Sequence, residues 1–191
     1  SNESNASNAP IYMYLNGTLL SSPYGTGADG ALTVSSASTV ISNYTYLEGN
    51  ESAGDAVITV HSATNFSAGN EILIIQMQNA SGGLAGTYEY ATVSSVSGTN
   101  ITLSSALGNP YYSGTFNSTS ATSAQVVKVP QYTSVTINSG ASLTAPAWDG
   151  YTGGLAVFKV QGILNVSGSL NASGKGFMKG SQLCCFNPGY Q

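Results

Sequence analysis

The segment TSVTINSGASLTA (133–145), with LAVFKVQGILNVSGSLNASGKG (155–176) after a break containing Pro and Gly, decides the fold. Val135, Ile137 and Leu143 in the first block, and Val157, Leu164, Val166 and Leu170 in the second, alternate with Ser, Thr and Asn. Each run is closed by Gly or Ser within a few residues. A period of two over short β-branched runs predicts strands, and no window has the length or spacing of an amphipathic helix. Short strands recurring beside small residues suit either the edge of a β-solenoid or a tight antiparallel meander, and periodicity leaves both open.

Upstream, the runs VITV, EILIIQM, YEYATVSSV, NITLSSAL and AQVVKV carry the same punctuation between positions 54 and 129. They predict a small twisted sheet or barrel, with Ser97-Gly98-Thr99-Asn100 as a tight turn between two of its strands. The fold expected is therefore all-β, with β-sandwich or jelly-roll-like sheet packing. The alternative is a β-solenoid-like C-terminal half carrying a small β-barrel insertion.

Residues 1–26 read as an N-terminal extension and 27–191 as the all-β body, with 27–130 and 131–191 as its sub-parts. Within the extension, IYMYL (11–15) places Ile11, Met13 and Leu15 on one face of a strand and Tyr12 and Tyr14 on the other, and Asn16-Gly17 follows as a turn.

Composition narrows the function classes. Only 6% of residues are charged while 41% are apolar, so polarity is carried by hydroxyls, amides and Gly, and solubility should depend little on salt or pH. Lys128, Lys159, Lys175 and Lys179 are the only strong cations and Arg is absent. Such a chain lacks the basic footprint that a phosphate backbone requires, so nucleic acid is not expected as a partner. No apolar run reaches the length of a membrane span, and a first residue other than Met suggests that a secretion signal has been removed.

Asn2, Asn5, Asn16, Asn43, Asn50, Asn65, Asn79, Asn100, Asn117, Asn165 and Asn171 each begin an N-x-Ser/Thr sequon, eleven of the 16 asparagines. With Ser and Thr making up about a quarter of the chain, chance would place only about four there. The excess points to covalent N-glycans on an extracellular surface, where sugars would hydrate the protein and cover sheet edges.

Catalytic and metal chemistry find little purchase. His61 follows VITV without a nucleophile motif nearby, and a strand-edge or core role is expected. Among the carboxylates Glu3, Asp29, Glu48, Glu51, Asp55, Glu71, Glu89 and Asp149, spacing does not show whether any two face each other across a cleft as a glycosidase needs, and Asp29 and Asp149, each before Gly, read as turn residues. Adjacent Cys184 and Cys185 are the only cysteines. A vicinal disulfide is favoured for them, with intermolecular bridges or free thiols as the alternatives. No metal, cofactor or catalytic residue is expected. Trp148 and Tyr151, flanking Asp149-Gly150, are candidate glycan contacts.

The blocks GADGALTVSS (27–36), NFSAGNEILIIQMQ (65–78), GTYEYATVSSVSGTNITLSSAL (86–107), VPQYTSVTINSGASLTAPAWDG (129–150) and GGLAVFKVQGILNVSGSLNASGKGF (153–177) together resemble a module near the N-termini of large secreted surface proteins. The resemblance implies an adhesin or envelope component whose last block leads into a Gly-rich solenoid. After Phe177 this sequence departs from that pattern. A short chain with an apolar N-terminal strand and dense sequons is similar, by class, to archaeal thread-type filament subunits, which join through donor-strand complementation. The likeness implies a glycosylated homopolymer at the cell surface, with Ile11, Met13 and Leu15 filling apolar sites on the next copy. A monomeric adhesin or glycan-binding module is the alternative.

Overall fold

The computed structural model describes residues 24–80, 83–116 and 121–176, together with the backbone of 14–15 and 18–19. All regular structure in it is β. Two bodies share the chain: a parallel ladder, and an antiparallel barrel inserted into its first turn.

The ladder is built from β3 (Ala31–Val34), β10 (Gln131–Tyr132), β11 (Ser134–Ile137), β12 (Ser142–Leu143), β13 (Lys159–Val160), β14 (Leu164–Val166) and β15 (Ser169–Leu170). Strand β11 pairs in parallel with β3 on one side and β14 on the other; β10 pairs with β13 and β12 with β15, also in parallel. An isolated parallel bridge from Thr39 to Leu143 carries the first turn round the same corner. These pairings stack equivalent side chains, so that Leu32, Val135 and Leu164 form one column and Val34, Ile137 and Val166 another. Val34, Tyr132, Val135, Ile137, Ala141 and Leu143 form the ladder core.

Glycine makes one corner of this stack. A side chain at Gly168 would run into the carbonyl oxygens of Asn138 and Ala141, and the Gly168 N–H donates to the Ile137 carbonyl at 3.0 Å. Only hydrogen at that Cα lets the third turn lie on the second.

The barrel contains β4 (Tyr44–Tyr46), β5 (Val57–Thr59), β6 (Glu71–Asn79), β7 (Tyr88–Ser97), β8 (Asn100–Leu103) and β9 (Thr122–Lys128), in the spatial order β4-β9-β6-β7-β8-β5. It closes where the Glu48 N–H donates to the Thr59 carbonyl and the His61 N–H to the Tyr46 carbonyl, both at 3.0 Å. Closure removes the two free edges that an open sheet would expose. Bulges at Gln76/Gln78 and Val93/Ser95 help so few strands to curl. Between β7 and β8 the expected turn is a two-residue hairpin, Gly98-Thr99, with Gly98 at φ 60°.

Ile72, Ile74, Val93, Ile101, Ala124 and Val126 fill the barrel with Tyr111 and Leu47. On the outer face, Leu73, Val127 and Val129 pack with Tyr44, Ile75, Leu155 and Val157, so the barrel rests on the segment joining the second and third turns of the ladder. Burial on both faces explains the near-continuous apolar runs of β6 and β9. Lys159 and Glu71 span the junction at 2.6 Å.

The all-β reading therefore stands, while the packing differs from a jelly roll: the ladder strands pair in parallel, whereas a jelly roll is antiparallel. A solenoid-like ladder with a barrel insertion describes the pairings. The cut at 130/131 falls between β9 of the barrel and β10 of the ladder, while β3, on the N-terminal side of that cut, pairs with β11 beyond it. Finally, β1 (Tyr14–Leu15) and β2 (Thr18–Leu19) form an antiparallel hairpin with no further strand partner among the described residues.

Candidate functional site

Two features stand out on the surface. The first is the last turn of the ladder. Leu164 and Val166 continue columns that are fully buried one turn earlier at Val135 and Ile137, yet each is itself 43% exposed. Leu170, at 49% and stacked on Leu143, extends the apolar strip. Among the described residues β14 has a strand neighbour on one side only. Asn165, between the two, stacks on Thr136 in the outward column, so a sugar there would point away from the apolar face.

The second is a cleft of about 420 Å³ where the barrel meets the loop between β12 and β13. On β4, Thr45 turns into the barrel, while Tyr44 and Tyr46 face outward. The Tyr44 hydroxyl donates to the Leu155 carbonyl at 2.7 Å. Tyr46 stacks on His61 at 4.6 Å, and lies 4.8 Å from Phe116 and 5.2 Å from Tyr151. Phe116 in turn stacks against Tyr151 at 4.9 Å. Burial, and then the charges of Glu48, Tyr151 and Asp149, hold the Tyr46 hydroxyl above its usual pKa.

Tyr151 is held by its own loop. Asp149 Oδ1 accepts the Tyr151 and Thr152 N–H groups at 2.8 and 2.7 Å, the Asx geometry expected of Asp before Gly. Tyr151 lines the cleft, but Trp148 does not; Trp148 is half-buried and its backbone N–H donates to the Lys175 carbonyl at 3.0 Å. Tyr46 and Phe116 escaped the sequence reading, which expects a strand-edge or core role for His61. The alternation Tyr44-Thr45-Tyr46 was a usable signal for an outward aromatic face; a lone Phe116 in a polar loop offered none.

His61 is exposed, with its Nδ1 2.6 Å from Glu48 Oε1, at the seam where the barrel closes. The other described carboxylates also serve the framework. Asp29 accepts from the Gln131 N–H, Glu51 from Thr59, Asp55 from Ser52 and Glu89 from Gly108 and Asn109, while Glu71 holds Lys159 and Gln131. No group of three or more potential metal ligands occurs among the described residues.

Of the sequons, Asn50, Asn65, Asn100, Asn165 and Asn171 are exposed, and Asn43 and Asn79 are half-buried. Asn2, Asn5, Asn16 and Asn117 lie outside the described residues, as do Glu3, Ile11, Met13, Cys184 and Cys185 and the side chain of Leu15.

No protein-family profile and no curated protein matches the chain. Among solved structures it is similar to three phage tailspikes. One is the Gp54 tailspike of Acinetobacter baumannii bacteriophage AP22, in complex with A. baumannii capsular saccharide, at 12% identity over 70% of this chain and 24% of that one, TM-score 0.38. The others are gp49 of Pseudomonas phage LKA1, at 18% identity over 60% and 24%, TM-score 0.34, and gp61 of Pseudomonas phage phi297, at 16% identity over 68% and 23%, TM-score 0.37. The chain spans about a quarter of the length of each.

Proposed function

We propose that the chain is a structural, non-catalytic subunit of a glycosylated extracellular assembly, a filament or surface layer, in which an extended segment of one copy adds to the open ladder edge of the next. The observation that carries this reading is the exposure of Leu164 and Val166 on an edge strand, above columns that are dry one turn earlier. Strand addition at such an edge gains backbone hydrogen bonds, and alternate side chains complete the columns. Completing the burial of Leu164, Val166 and Leu170 would contribute about 1 kcal/mol each.

Ile11, Met13 and Leu15 have the spacing of two residues that matches Leu164 and Val166. Among the described strands β1 pairs with β2 alone, and on this reading the segment leaves that pairing to serve a neighbour. Contact between an N-terminal segment and a ladder end is heterologous, so repetition yields an open polymer wherever the rotation between copies does not close a ring. A non-catalytic role accords with the use of the described carboxylates as turn and junction acceptors.

Electron microscopy of the secreted material tests the proposal directly. A polymer in which residues 11–15 of one copy lie along β14 of the next supports it. A monodisperse monomer at high concentration, or a polymer with β14 away from the contact, would discard it and favour a monomeric adhesin.

A further inference from the structure

We propose that the cleft between β4 and the loop after β12 is a saccharide-binding site, built to hold an uncharged pyranose ring against Tyr46 and Tyr151. Four segments distant in sequence meet there: Tyr46 on β4, His61 after β5, Phe116 before β9, and Asp149 with Tyr151 in the loop. The site stands apart from the ladder edge and does not depend on the assembly proposed above.

The geometry selects the ligand class. A pyranose has an apolar C–H face and a polar hydroxyl rim. The cleft offers aromatic surface from Tyr46 and Tyr151, beside the Ser62 hydroxyl and the Asp149 carboxylate. Few polar groups around aromatic walls are the usual make-up of a small-ligand site. Its volume of about 420 Å³ suits one or two sugar rings. Charge argues in the same direction: the Asp149 carboxylate lines the cleft, and among the described residues no lysine does. Phosphorylated and uronic-acid sugars would be repelled.

The walls are also held in place before any ligand arrives. Asp149 fixes the Tyr151 backbone, Gln125 grips Gly153 through both atoms of its amide, and Phe116 wedges Tyr151 against Tyr46. Preorganisation of this kind lowers the entropic cost of binding. A sugar could reach the cleft from outside or from the protein itself. The sequon residue Asn43 directly precedes Tyr44, which lines the cleft, and its Oδ1 accepts from Asn65 Nδ2 at 3.3 Å.

The test is titration calorimetry of the whole chain against neutral hexose oligosaccharides and their uronic-acid counterparts, with protein made both with and without N-glycosylation. Binding of a neutral saccharide is expected, reduced at least tenfold in Tyr151→Ala and in Ser62→Trp, which fills the cleft without removing packing; Tyr151→Phe should retain it. Binding by both preparations assigns an external saccharide, and binding by the unglycosylated one alone assigns the protein's own glycan. The proposal is overturned if neither preparation binds a neutral saccharide at millimolar concentration. Equal binding by Ser62→Trp, or a preference for the uronic acids, would overturn it as well.

Discussion

Gln125 and Gly153 are paired in both directions: the Gln125 Oε1 accepts the Gly153 N–H at 3.0 Å, and its Nε2 donates to the Gly153 carbonyl at 3.1 Å. A side-chain amide on β9 thereby replaces the strand that the Gly153 backbone lacks. Both residues are buried, so each bond is made where water cannot substitute. Gln125→Leu should leave Gly153 with two unsatisfied groups and cost about 2–4 kcal/mol. Urea denaturation measures that loss, and faster amide exchange at 150–154 would show the loop released.

Gly168→Val should break the third turn from the second, because the new side chain meets backbone rather than a movable side chain. A loss of about 3 kcal/mol is expected. Protease protection of 159–170 should fall while the barrel keeps its amide protection. Equal loss in both bodies would show that they unfold as one.

On the assembly reading, Leu164→Asp and Met13→Asp should each abolish polymer while leaving the monomer's melting temperature within about 2 °C, since a charge on the apolar strip opposes docking but is hydrated in the free subunit. Sedimentation and electron microscopy read the result. Unchanged polymer in both variants removes the donor strand from consideration.

Burial, then the Glu89 charge, pushes the Tyr111 hydroxyl well above its ordinary value of 10.0; burial raises Tyr44, Tyr90 and Tyr132 in the same direction. A pKa raised in the folded state means that the unfolded chain releases its phenolic protons first. Stability is therefore intact below pH 10 and falls as pH rises through 10 and beyond. Thermal melts between pH 8 and 11, with phenolate absorbance as a second signal, should show unfolding and ionisation together. Tyr111→Phe should flatten the alkaline slope.

Lys159→Met should weaken the junction of ladder and barrel, leaving Glu71 only the Gln131 amide among its described partners, and removing a cation 5.0 Å from the Tyr90 ring. The expected cost is about 1–3 kcal/mol. A salt titration of stability should be steeper in the wild type than in the variant, because screening acts on the pair.

The sequence by itself determined that the chain is all-β. Alternation in SVTI and LNV, β-branched runs and Gly-Thr at a hairpin are local signals that favour strands on a half-buried pleated surface. It also marked the turn role of Asp149, since an Asx turn needs only its own neighbours. Tertiary structure alone decided how the strands pair. Val135 and Leu164 are 29 positions apart and Leu32 and Val135 are 103 apart, and a period of two is identical in a parallel ladder and an antiparallel sheet. Burial of the outer face of β6 and β9 hid their alternation, so the docking of barrel on ladder was not legible. Tyr46, His61, Phe116 and Tyr151 meet for the same reason: a closed barrel and a crossing loop bring them together, and no spacing along the chain encodes that distance.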